Sequence, residues 1–213
     1  NARGAVVRLS FEGELFDKSV LSTLGYVVGI CHDFGKATKW FQEYIRNPQG
    51  GHKDNHAYHA SISAFFTYYV ASNVLEENFK EMPASDRERW SYIAYYVVYY
   101  HHGDLQDIDD NYRIAFRDPL RLKNIMEQAR YLLNIADTLQ GMYDNLITSG
   151  NLYATFNVND FLGSIGFEHR IEEFVKHLKF AEIKFKNSQD ATHYLRFIFL
   201  YSVLLAADKA NAS

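Results

Sequence analysis

Histidine and aspartate are spaced along this chain in a way that invites metal chemistry. The nine histidines fall at positions 32, 52, 56, 59, 101, 102, 169, 177 and 193. Three local groups stand out: His32-Asp33, the trio His52, His56 and His59, and the pair His101-His102. Imidazole and carboxylate together make the ligand set that suits Mn, Fe, Ni, Co, Zn or Mg. Helix neighbours point about 100° apart, so His32 and Asp33 address one ion, or bridge two, only where a helix ends and the backbone turns. A lone His-Asp pair is ordinarily a coincidence or a capping contact, and a His-His pair at a helix end is ordinarily exposed and favoured by the dipole. All three groups sit at the inferred start or end of a helix, and together they favour a metal site.

The elements that must position these groups read as helices. Residues 19–32 carry Leu21, Leu24, Val27, Val28 and Cys31 at spacings of three and four, one apolar face. Asp33-Phe34-Gly35 interrupts it, and 38–45 resumes as an aromatic-rich turn or helix ending before Pro48. After the flexible Gln49-Gly50-Gly51, a second helix is expected from Asn55 through Leu75, with Ala60, Ala64, Phe65 and Tyr68 on one side. Residues 81–85 read as a loop and 86–101 as a helix ended by Gly103. The stretch 104–118 is acidic and irregular, and Pro119 opens a helix to about Tyr143. Residues 144–166 are the candidate for a small insertion or lobe, and helices over 168–179 and 190–209 close the chain. The expected architecture is all-α, a single domain over 1–213.

Composition supports a folded domain and narrows its class. The 213 residues are 47% hydrophobic and 23% charged with three prolines, enough to bury a core without staples. Sixteen Phe, sixteen Tyr and two Trp imply helix packing through rings with one edge wet. A formal charge of −4 argues against a sequence-independent basic clamp on nucleic acid, though bound cations would add positive charge that this count omits. Cys31 is the single cysteine, so a disulfide framework or a cysteine-based zinc cluster within the chain is excluded. No secretory pattern precedes the first apolar helix, and the most apolar run, 197–207, is too short to span a bilayer. The expectation is a cytoplasmic protein with no membrane partner, and the start at Asn1 reads as a mature fragment, a trimmed chain or the ordered part of a longer one.

His32-Asp33-Phe34-Gly35-Lys36 resembles the HDxGK signature of the HD phosphohydrolase superfamily. With Phe41-Gln42, then His59-Ala60-Ser61-Ile62-Ser63-Ala64 and His101-His102-Gly103, the chain resembles more narrowly the CRISPR-associated HD nuclease of type I systems. That nuclease is a domain fused to a superfamily 2 helicase or a separate subunit, and the likeness runs from about Gly25 to Lys209. The resemblance implies an HD-domain helical bundle holding one or two divalent metals. It implies that Asp33 bridges the metals and that His32 and Asp208 bind the first of them. His59, His101 and His102 would bind the second, and Lys36 would lie near the bound phosphate. The family usually supplies a further histidine from an upstream helix. Here none precedes His32, which leaves the first metal one histidine short and makes a single bound metal plausible.

The implied reaction is metal-dependent endonuclease and exonuclease hydrolysis of single-stranded DNA in CRISPR interference. A helicase would supply the strand, and an RNA-guided surveillance complex would mark the target. Trp40, Phe41 and Tyr44 would either stack on bases or pack the motif against the core. His59 is preferred to His56 as a ligand because it heads the matching stretch, and Asp208 is preferred to Asp137. His52 reads as a loop residue, while His169, His177 and His193 read as surface or edge residues. Two rivals stand beside the nuclease. One is an HD phosphohydrolase acting on a nucleotide or another small phosphomonoester, and the other is a degenerate HD scaffold that binds a helicase partner.

Overall fold

The computed structural model describes residues 17–47, 55–102, 119–187 and 191–212. The expected features at His52, Gln49-Gly50-Gly51, Gly103 and 104–118 lie outside them. Among the described residues there is no strand, and the chain is an all-α, single-domain bundle around one apolar core. No helix among them is long and apolar enough to cross a membrane.

Helix α1 (Lys18–Cys31) starts on Asp17, whose carboxylate accepts hydrogen bonds from the Ser19 and Val20 amides at 2.9 and 3.2 Å. These satisfy donors that a helix start leaves open. The apolar face expected from the spacing is the buried one: Val20, Leu21, Leu24, Val27, Val28 and Cys31. The helix stops at His32, whose amide still donates to Val28. A 3-10 turn (Phe34–Ala37) leads into α2 (Lys39–Arg46).

Helices α3 (Ala60–Asn78) and α4 (Ala84–Tyr100) are joined by a short loop and pack along each other as a hairpin. This arrangement brings the start of α3 beside the end of α4. There follow α5 (Pro119–Leu132), a 3-10 turn (Leu133–Ile135), α6 (Ala136–Ser149), α7 (Val158–Ile165), α8 (Glu168–Asn187) and α9 (Ala191–Ala212). Helix α9 lies against α1 and α4, and α8 lies against α4 and α7. Two tyrosines tie α1 to α6 reciprocally: Tyr26 donates to the Leu146 carbonyl at 2.6 Å, and Tyr143 donates to Ile30 at 3.2 Å.

Three expectations are corrected. Helix α3 begins at Ala60, not Asn55, because a separate 3-10 turn (Asn55–Ala57) precedes it. The helix expected from Pro119 to Tyr143 is broken at 133–135. There Asn134 turns its side-chain amide onto the Tyr131 carbonyl at 3.0 Å, a local bond that competes with the helical ladder. The bend lets α5 and α6 both pack on α7. Residues 144–166 are not a lobe of their own, since Val158, Phe161, Leu162 and Ile165 enter the common core. Phe161 reaches Phe66 at 5.2 Å and Tyr69 at 5.3 Å between ring centres.

Replacing Asp17 by alanine removes the cap of the helix that ends at His32. We expect a loss of about 1 kcal/mol, read in thermal melts as a drop of about 2–4 °C for a chain of this size.

Candidate metal centre

The HD turn is pinned to the bundle by its apolar and small residues. Phe34 is buried and stacks on Phe66 at 3.9 Å. Gly35 passes so close to the start of α3 that a Cβ there would stand 2.6 Å from Ile62 Cγ2, 2.7 Å from the His59 carbonyl oxygen and 2.8 Å from His59 Cβ. Real side chains do not tolerate such distances, so only glycine fits without moving backbone. The Gly35 amide donates to Ser63 Oγ at 2.9 Å, and Thr38 Oγ1 donates back to the Gly35 carbonyl at 2.9 Å. Gln42 holds the Lys36 carbonyl at 2.9 Å.

This packing gathers four histidines from three helix ends, with Asp33 between His32 and His59. His32 stands at the end of α1, His59 at the start of α3, and His101 and His102 at the end of α4. His32 Nε2 lies 3.3 Å from Asp33 Oδ2 and 3.7 Å from Asp208 Oδ1. His59 Nε2 lies 3.6 Å from Asp33 Oδ1, so each carboxylate oxygen of Asp33 faces a different histidine. His59 and His102 bring their Nε2 atoms to 2.9 Å, and the His101 ring stands 3.8 Å from His102 and 5.5 Å from His32. Ligand atoms of His59, His101 and His102 all fall within 4.8 Å of one another. Two nitrogens each about 2.0–2.1 Å from one ion stand roughly 3–3.5 Å apart, so this cluster can chelate a metal ion.

The protonation pattern follows from the partners. His32 Nδ1 meets the Gly29 carbonyl at 2.8 Å, and His101 Nδ1 meets the Val98 carbonyl at 2.5 Å. A carbonyl only accepts, so each Nδ1 carries a hydrogen, and in the neutral form of the ring Nε2 is the bare nitrogen. Both Nε2 atoms are buried without a hydrogen-bond partner. Burial pushes the His101 pKa down to about 4, with the His102 and His32 rings adding to the shift and the Val98 bond and Asp33 opposing it. Backbone carbonyls that fix the tautomer of a ligating histidine are the usual outer support of a metal site.

Of the expected ligands, His59, His101 and His102 form the compact cluster, Asp33 lies beside His59 and His32, and Asp208 lies beside His32. Lys36, half-buried, reaches Asp33, 2.8 Å from Oδ1 and 2.9 Å from Oδ2. No family model, curated protein or solved structure matches the chain.

The remaining candidates separate cleanly. His56 turns away from the cluster: its Nε2 lies 2.6 Å from Glu127 Oε2, and its ring stacks on Trp40 at 4.9 Å. Trp40 is thus engaged in packing, while Tyr44 stays exposed. Phe41 sets its ring 4.8 Å from His59, edge to face. Asp137 is exposed on α6 and accepts from Asn159. His169 and His177 are exposed as expected, but His193 is not a surface residue. It is buried, with its Nδ1 3.1 Å from Arg196 and its ring 5.8 Å from Phe185. Sequence reasoning gave no role to Ser63 or Thr38. The Ser63 hydroxyl clamps the glycine turn from another helix, 28 positions away, which leaves no local pattern to read.

Two outcomes follow. Gly35→Ala should cost about 1–3 kcal/mol in urea denaturation, because the methyl group must push the His59 backbone away. In metal-free protein, His101 has a folded pKa of about 4 against 6.5 for an ordinary histidine. The unfolded chain therefore takes the proton first, and stability present above about pH 6.5 is lost progressively as pH falls toward 4. His101→Gln should flatten that slope in melts recorded across this window.

Proposed function

We propose that the chain is a metal-dependent nuclease with an HD fold, hydrolysing phosphodiester bonds of single-stranded DNA. The observation that carries this reading is the cluster of His59, His101 and His102, whose ligand atoms fall within 4.8 Å of one another, beside the buried Nε2 atoms of His32 and His101 that have no hydrogen-bond partner. A buried acceptor without a partner costs about 1–3 kcal/mol, a cost that coordination removes. The HDxGK pattern supplies the link to hydrolysis.

One or two divalent ions held by these side chains would activate water at neutral pH and stabilise the charge on the phosphate oxygens. Asp33 offers one oxygen to the His32 side and one to the His59 side, as a bridging carboxylate must. His32 and Asp208 flank the first position, and His59, His101 and His102 flank the second. Lys36 neutralises Asp33 and lies where it can pair with a phosphate oxygen of the substrate. Asp33 and Asp208 are each about one-third exposed (37% and 36%) and His102 is exposed, so the centre is reached from solvent on its carboxylate side. Tyr44 offers a ring to a base, whereas Trp40 supports His56. The partners in this reading are a CRISPR-associated helicase domain or subunit and an RNA-guided surveillance complex, in the cytoplasm.

Purified protein supplied with Mn, Co, Ni or Mg should cut circular single-stranded DNA and leave intact duplex nearly untouched. Asp33→Ala should lower cutting by about 100-fold or more, beyond the 10–100-fold typical of losing an outer support. Turnover of nucleoside phosphates with no cutting of the circle would assign the chain to small-molecule hydrolysis, and neither activity would favour the degenerate scaffold. Titrating metal into chelator-stripped protein separates the two positions. His101→Ala or His102→Ala should abolish the tight site, while Asp208→Ala should mainly weaken a second ion and activity.

A further inference from the structure

Helix α5 contributes no ligand, yet it grips the segment that delivers His59. Gln128, buried at 1% exposure, donates its amide nitrogen to the His56 carbonyl at 2.6 Å and to the Tyr58 carbonyl at 3.2 Å. Carbonyls accept only, so the amide must present its nitrogen here, and its two hydrogens match the two oxygens. The Tyr58 carbonyl belongs to the same rigid peptide plane as the His59 amide, so holding that oxygen sets the angle at which His59 enters α3. One residue earlier on α5, Glu127 holds the His56 ring at 2.6 Å. His59 has no side-chain cap of its own at the start of α3. On its other side, the Gly35 contact leaves no room for a shift.

We infer that Gln128, supported by Glu127, is a positioning residue for the metal centre, aiming His59 Nε2 at Asp33 and His102 from outside the ligand set. This rests on the metal-binding reading of the centre. Without the Gln128 donors, the Tyr58–His59 peptide loses one of its anchors, and the His56 and Tyr58 carbonyls each lose a hydrogen bond. The His59 ring then leaves the 2.9 Å and 3.6 Å separations from His102 Nε2 and Asp33 that define the cluster.

The test uses cobalt(II) ion titrated into chelator-stripped full chain, following affinity and the visible ligand-field spectrum. Gln128→Met keeps the side-chain volume and removes both donors. It should weaken cobalt binding about 10–100-fold, the range for outer supports of metal ligands, and change the spectrum of the bound ion. Asn157→Ala, which removes the side-chain cap of α7, supplies a comparably destabilised control. It should bind cobalt like the wild type. Should Gln128→Met not fold, Glu127→Ala carries the test at a half-buried position, with an expected weakening of several-fold, below the same outer-support range. Wild-type affinity and spectrum in the folded α5 variants would overturn the inference while leaving the metal centre standing. A wild-type chain that binds no cobalt would overturn the metal reading and the inference with it.

Discussion

The structure depends on one close approach, that of the HD turn to the first turn of α3. Gly35 meets the backbone and Cβ of His59 at distances no side chain would permit, and its amide is tied to Ser63. That single contact brings a residue at the end of α1 and one at the start of α3 to the same point. The hairpin of α3 and α4 then carries His101 and His102 to it, and the packing of α9 on α1 and α4 carries Asp208. Phe34 holds the turn from beneath by stacking on Phe66, with Tyr143 and Phe161 around it.

Having fixed those ends, the fold places groups there that it would be more stable without. Backbone carbonyls at Nδ1 fix which nitrogen of His32 and of His101 carries the hydrogen, and their Nε2 atoms are buried without a hydrogen-bond partner. Burial, joined by the neighbouring His102 and His32 rings, drives the His101 pKa down. Such conflicts between local stability and arrangement are expected at sites that serve a purpose other than folding. Lys36 relieves part of the conflict by countering the Asp33 charge.

Much of this could be read from the sequence, and the failures have physical reasons. The apolar spacing of 19–32 marked α1 to within a residue, and His59 was separated from His56 through resemblance, because it heads the matching stretch 60–64. Asp208 could be chosen over Asp137 only through resemblance, yet it is the one that stands beside His32. The break at 133–135 escaped notice because apolar positions continue through it at helical spacing, while the cause is one Asn134 side chain. His193 looked like an edge residue because its neighbours are polar, but Phe185 on the preceding helix covers it. The grip of Gln128 on residues 56 and 58 joins positions 70 and more apart. A glutamine bonded to backbone carries no side-chain complementarity that a sequence would reveal.

The central claim is that His32, Asp33, His59, His101, His102 and Asp208 hold one or two divalent metals. Anomalous diffraction from crystals of the protein loaded with manganese or cobalt tests it most directly. The account predicts a strong peak among the Nε2 atoms of His59, His101 and His102 and Asp33, with any second peak beside His32 and Asp208. Peaks elsewhere on the protein, or none at these residues under saturating metal, would contradict it.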